Sequence, residues 1–281
     1  MSATQLPGRF RLTPRATAGL LGGYLILVLL ALIYIYPFLI SVSGSFKTDA
    51  DATQNPLSLL PQTWSFAAYE RLFTDVPLLQ WTGNSVIVTI CITAGRVFFD
   101  SLAGYALSRL RFPGRNVIFF SLIAIMAVPP VALLIPRFLV LKQFGMFDSY
   151  AGMIIPIMID AAGIFIMKQF FESIPVSVEE AARIDGAGVF RTFWAIVLPM
   201  ARPALITLFI LSFQGSWNEF SYFLISRQDA DLHTLTNGQL GQGNQFPLKL
   251  AAAVLMSIPV AVLFFIFQKR IMSNSEGAEK G

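Results

Sequence analysis

The chain has 281 residues, 55% of them hydrophobic and only 13% charged, with 26 Phe and a mean hydropathy of +0.66. Soluble domains carry about 25% charged residues, so this composition excludes an ordinary globular fold and indicates an all-α protein that crosses a membrane repeatedly. The formal net charge of +4 comes from Lys and Arg set between apolar runs; membrane topology accounts for them and no nucleic-acid partner is needed.

Arg9, Arg11 and Arg15 precede an apolar run over Ala18–Val42. It is longer than the apolar core of a cleaved signal and lacks an A-x-A site, so it reads as a retained first span after a cytoplasmic tail, residues 1–17. Gly19 and Gly23 form a G-x-x-x-G pair, a common helix-packing feature. Ser43–Gln80 is a mixed external loop with an interfacial helix near Phe66–Phe73. Gly83–Leu107 is the second span, and Arg109, Arg111 and Arg115 mark its cytoplasmic end. The third, Val117–Leu139, is interrupted by Pro129-Pro130 and Pro136; those prolines make either a hinge or a static kink. After a short external loop, Lys142–Tyr150, the fourth span covers Ala151–Phe171.

Val176 to Pro203 is the charged stretch that follows. Ser177 and Glu180 fit a capping box, which predicts a helix starting near Val178. Gly186 is placed as its left-handed stop. A second helix carries Val189, Phe190, Phe193, Trp194 and Val197 at helical spacing and is expected to end before Pro199. Two short helices between spans make a handle for another protein. Pro203–Ile225 is then the fifth span, Ser226–Lys249 an external loop rich in Gly and Gln, and Leu250–Phe267 the sixth, stopped by Lys269-Arg270. Each run is near the ~20 residues a helix needs to cross. The excess of Lys and Arg on one side places both termini and the handle in the cytoplasm.

The handle resembles the EAA loop of binding-protein-dependent ABC importers. Glu180-Ala181-Ala182, Gly186, Ile196, Leu198 and Pro199 fit its pattern E-A-A-x3-G-x9-I-x-L-P, and the run Glu179–Ala187, EEAARIDGA, is similar to the carbohydrate-importing, maltose-type permeases. NSVIVT at Asn84, YALSRLRFPGR at Tyr105 and SWNEF at Ser216 extend the resemblance from about Pro37 to the end of the chain. It implies one permease domain over 1–281, with a coupling loop over 172–202. Glu179, Glu180, Ala181, Ala182, Asp185, Gly186, Ala187, Leu198 and Pro199 would serve an ATPase cleft. Ala181 and Ala182 permit close approach, and Glu180 and Asp185 offer charge to an arginine on the partner.

The implied assembly comprises this chain, a homologous permease subunit, two ATP-binding cassette subunits and an extracytoplasmic solute-binding protein, set in the lipid of a bacterial inner membrane. The solute class is a sugar or a relative of one, such as a polyol or a glycerol phosphate ester. The chain has no G-x-x-x-x-G-K-[ST] loop, so ATP and Mg belong to the partner ATPases and this chain holds no cofactor, metal or catalytic group. One cysteine, Cys91, and one histidine, His233, form no metal-ligand spacing. A secondary transporter would need inverted repeats, and none is seen. An exporter half would carry a fused ATPase.

Polar residues inside spans are candidates for the solute path. Gln214, Trp217, Asn218 and Glu219 either line it or make a polar contact between subunits. Asp160 faces either the path or a partner helix. Arg96 and Asp100, four apart, are placed to pair on one helix face.

The topology is tested with a membrane-impermeant thiol label in a background lacking Cys91. A cysteine at Ser2 or Gly281 should stay unlabelled in intact cells and one at Gln242 should label; labelling of both ends from outside would overturn the arrangement.

Overall fold

The computed structural model describes residues 14–238 and 245–277, and side-chain surroundings for 19–238 and 245–268. The tail before residue 14, Gly241, Gly243, the Lys269-Arg270 side chains and residues 278–281 lie outside the described residues. Among the described residues every regular element is helical. The chain divides into two compact units, Met1–Arg71 with Asn244–Val254, and Leu72–Gly243 with Leu255–Gly281.

The first unit contains α1 (Pro14–Gly44), α2 (Asp49–Gln54) and α3 (Ala67–Thr74). The Gly19–Gly44 stretch is long and apolar enough to span a bilayer, and its most apolar window is wholly exposed. No neighbour lies within 4 Å of Gly19 or Gly23 among the described residues, so their spacing is not used for packing here. The following loop folds around buried polar groups. Lys47, 2% exposed, donates to the carbonyls of Asn55 and Ser58 at 2.6 and 2.8 Å. Phe46 packs against Trp64, Phe66 and Tyr69 with ring centroids 5.1–5.8 Å apart.

The second unit runs from α4 (Leu78–Arg109) through α5 (Arg115–Met126), α6 (Leu134–Gln143), α7 (Tyr150–Ile154), α8 (Ala161–Ser173), α9 (Val176–Ile184), α10 (Val189–Thr192), α11 (Leu198–Met200), α12 (Arg202–Trp217), α13 (Ser221–Ser226) and α14 (Leu235–Gly238). The last helix, α15 (Phe246–Gly277), continues past the expected stop at Lys269-Arg270. Among the described residues four stretches are long and apolar enough to cross a membrane, and counting each of two bent helix pairs as one span gives six.

Helix α4 is the axis of this unit, packing along both α8 and α12. Gly104 permits the α4–α8 approach: a β-carbon there would lie 2.8 Å from Met167 Cβ and 2.9 Å from the Lys168 nitrogen. In lipid, where apolar burial gives no drive to associate, such small residues let backbones meet.

Several predicted spans are broken, and the breaks have causes. The third is not one rod over Val117–Leu139. Pro129 and Pro130 lack N–H donors and hold Pro129 extended at ψ 129°, so α5 and the Pro130–Gln143 segment meet at 104°. In the fourth, α7 passes through a 3-10 turn at Ile155–Ile157 before α8 begins. The fifth ends at Trp217, not Ile225.

The predicted external loop after Ser226 is docked on the first turns of α4. Asn84 Nδ2 donates to the carbonyls of Asp231 and His233 at 2.7 and 2.8 Å, and Leu235 N donates to Ser85 Oγ at 2.8 Å. Nearby, Asp148 accepts the amides of Asp229 and Gln228 at 2.8 Å each. These bonds hold its carboxyl below the usual carboxylate range. Burial, with Arg227 adding, pushes the His233 imidazole below its ordinary value, so it stays neutral at neutral pH.

Candidate functional site

The loop from Pro175 to Ala201 is built from the backbone upward. Pro175 ends α8 by forcing Ile174 to an extended ψ of 130°. It then serves as N-cap of α9, which starts at Val176 with no side-chain cap. The expected capping box is therefore absent: Ser177 already lies inside the first turn, so its hydroxyl is past the capping position. Gly186 behaves as expected. Its φ is +80°, its amide donates to the Arg183 carbonyl at 3.0 Å and Ala187 N donates to the Ala182 carbonyl at 2.9 Å. Those two bonds are the Schellman pattern, which satisfies the last carbonyls of a helix.

The second loop helix also departs from expectation. It does not stop before Pro199 but runs through it to Met200. Residues Phe193–Val197 form a π-turn in which Leu198 N reaches back to the Phe193 carbonyl. The wider turn absorbs the donor that Pro199 lacks. The bend into the fifth span comes after Met200, at 79°.

Helix α9 has two faces. Glu179 and Ala182 point inward and are 3% and 4% exposed, whereas Glu180, Ala181, Asp185 and Gly186 are exposed and Ile184 is 87% exposed. Ala187 and Leu198 are half-buried and Pro199 is exposed.

The inward face is held by a residue that sequence reasoning passed over. Arg109, in the last turn of α4, places Nε 2.9 Å from Glu179 Oε1, an ion pair off hydrogen-bonding alignment with side chains only 8% and 4% exposed. Its Nη2 donates to the carbonyl of Phe171 at 2.5 Å, which also takes the Ile174 amide, and to that of Ile174, both at the end of α8. Tyr105 OH donates to Glu179 Oε2 at 3.4 Å, and its ring packs on Phe171 and Phe193. One guanidinium thus joins α4, α8 and α9. The YALSR motif carried the signal, an arginine at a helix end, but only the fold shows what it grips. Glu179 is consequently an internal anchor, and Glu180 is the free carboxylate.

The polar residues assigned to the solute path separate. Trp217 is buried; its Nε1 donates to the Met256 carbonyl at 3.0 Å and its ring stacks on Phe213, so it holds α12 to the last helix. Glu219 is half-buried and does not lie within a span: its Oε1 takes the Tyr222 amide at 2.8 Å and starts α13. Gln214 and Asn218, one turn apart, are both exposed. Asp160 is the N-cap of α8, accepting from Gly163 N, and its own amide donates to Asp100 Oδ1 at 3.0 Å. Among the described residues Asp100 and Arg96 form no ion pair within 4 Å; Arg96 attracts Asp100 only from farther off, and its Nε donates to the Ile157 carbonyl at 2.9 Å. Both side chains are used by the broken fourth span, whose freed backbone groups offer closer partners than the next helical turn.

This arrangement is that of a helical chain with several membrane-length apolar segments and a charged loop helix held on its inner face and exposed on its outer face. The model of the family described as binding-protein-dependent transport system inner membrane component matches residues 100–273, and the chain belongs to that family. It is a permease subunit of an ABC importer, not a catalytic enzyme, works with binding-protein and ATPase partners, and is a multi-pass inner-membrane protein. It is 32% identical to the diacetylchitobiose uptake system permease protein of Streptomyces coelicolor, over 89% of this chain and 85% of that one. With the arabinooligosaccharides transport system permease protein of Bacillus subtilis it shares 31% identity, over 92% and 94%. The crystal structure of a bacterial ABC transporter involved in the import of the acidic polysaccharide alginate contains a similar chain, with a TM-score of 0.80, 26% identity and coverage of 92% and 98%.

The clamp is tested by a double-mutant cycle on thermal unfolding of the purified complex. Removing one partner of a buried pair costs about 3–5 kcal/mol. Arg109→Gln and Glu179→Gln should each destabilise on that scale, and the double substitution should cost less than their sum. Additive losses would show that the two groups do not interact.

Proposed function

We propose that this chain pairs with a homologous permease, and that the two form the path for a sugar or sugar-like solute. Two ATP-binding cassette subunits would supply ATP and Mg, and an extracytoplasmic binding protein would deliver the solute. The observation that carries this reading is the outer face of α9. A helix fixed on its inner side by Glu179 presents Glu180, Ala181 and the 87% exposed Ile184 to solvent. That isoleucine offers a partner apolar surface to cover, and the small residues beside it let the partner approach. With α9 on the cytoplasmic side, a count of six spans would leave both termini there too.

The solute class rests on the relatives' names, which specify diacetylchitobiose, arabinooligosaccharides and, in Yersinia enterocolitica at 28% identity, sn-glycerol-3-phosphate. Gln214, in the last turn of α12, and Asn218, its C-cap, are both exposed and are the groups best placed to offer hydrogen bonds to a hydroxylated solute. Transport would then follow from rigid movement. ATP closes the ATPase pair, α9 moves with it, and α4 and α8 follow because Arg109 joins them.

Gly186→Val and Ile184→Asp test the docking separately from folding. A β-carbon at Gly186 meets nothing within 4 Å, so the penalty is conformational, about 1–2 kcal/mol or more for a β-branched residue. Both variants should insert at normal abundance yet lose ATPase subunits on purification and lose solute uptake. Normal uptake with normal ATPase retention in both would contradict the reading.

A further inference from the structure

Beside the clamp, sharing Arg109, Glu179 and Glu180 with it and with the outer face of α9, lies a polar cavity of about 530 Å³ whose remaining arginines have no role in the reading above. Arg109, Arg111, Arg115 and Arg183 line it, against two carboxylates, Glu179 and Glu180. Arg109 is taken up by Glu179. Arg115 sits 3.7 Å from Glu172, which Lys168 already holds at 2.7 Å. Arg111 and Arg183 are exposed and make no ion pair within 4 Å among the described residues. The cavity therefore carries excess positive charge, with two guanidinium groups free to receive an anion bidentately.

Its position selects the anion. One span, α4, ends at Arg109, and α5 begins at Arg115, so the cavity lies where two helices meet the membrane surface. None of the twelve residues of α5 is buried, and Val117, Ile118 and Phe120 are 69%, 49% and 65% exposed directly after Arg115. A cationic cavity continuing into a bare apolar helix face matches an amphiphile with a phosphate head and hydrocarbon tails. An acidic side chain of a soluble partner would leave the α5 face unused.

We propose that this cavity binds the phosphodiester headgroup of an anionic phospholipid, with its acyl chains along α5, next to the joint that carries movement from α9 to α4. The inference rests on the reading of α9 as the cytoplasmic coupling helix, since that places the cavity at the inner leaflet, where anionic lipid attracts basic groups.

The test uses the whole transporter complex in detergent, with native mass spectrometry counting retained phosphatidylglycerol against phosphatidylcholine. Wild type should retain phosphatidylglycerol selectively. Arg111→Gln and Arg183→Gln should each lower that retention roughly fivefold, leaving phosphatidylcholine unchanged, and Arg111→Lys should restore most of it by keeping the charge. Equal retention by wild type and both Gln variants would overturn the proposal. So would displacement of the lipid by millimolar inorganic phosphate, which would mark a site for a soluble anion. Loss of ATPase subunits with lipid retention intact would assign the cavity to the subunit interface instead. If no ATPase subunit is retained even by wild type, the coupling reading fails by itself, and the same lipid count on the permease still decides this inference.

Discussion

The Arg109 guanidinium joins three helices at one buried point, and the packing of the coupling loop against the spans depends on that joint. A charge removed from water needs both a counter-ion and enough acceptors. Glu179 supplies the charge, and the carbonyls of Phe171 and Ile174 supply the acceptors. Pro175 has no N–H to give the Phe171 carbonyl and ends α8 there, so both carbonyls keep acceptor capacity for the guanidinium. The proline that separates span from loop thus creates the acceptors that tie the loop back to α4. Around this point Tyr105, Phe171, Phe193, Val197 and Leu208 form one apolar cluster drawn from α4, α8, the π-turn and α12. A push on α9 therefore meets a packed body rather than a flexible tether.

In the rest of the second unit, polar backbone left bare where water is scarce is costly. The breaks in the fourth and fifth spans recruit nearby side chains. Arg96 takes the Ile157 carbonyl, Asp100 takes the Asp160 amide, Asp160 caps α8 and Glu219 starts α13. Asp160 and Glu219 look like a solute path when only their polarity is known. In the fold both side chains accept backbone amides, and Gln214 and Asn218 are the exposed polar pair at the C-terminal end of α12.

The positions of the spans and the loop were legible in the sequence, because apolar length, basic flanks and the Glu-Ala-Ala, Gly and Leu-Pro offsets are local signals. Gly186 was predictable for the same reason: a left-handed residue after a helix is a property of a few neighbours. The kinks at Pro129-Pro130 were visible as interruptions, but not as a 104° turn, since a proline specifies a missing bond and not the direction of the chain beyond it. The small helix α2 could have been found from Thr48, whose hydroxyl oxygen accepts the Asp51 amide at 3.2 Å. What was not legible was pairing across distance. Glu179 and Glu180 are adjacent and identical in type, and only the position of Arg109, 70 residues earlier in the chain, decides which faces inward. The same holds for Asn84, whose partners Asp231 and His233 come from a loop that reads as solvated.

The central claim is that α9 and α4 move as one body because of the Arg109 joint. Electron spin resonance distances between labels at Ser177 and Phe99 measure this directly, in nucleotide-free complex and in complex trapped with ATP. The account predicts one narrow distance that is the same in both states, and a broad distribution in Arg109→Gln. A wild-type distance that shifts on ATP binding by as much as the ATPase subunits themselves move would contradict it.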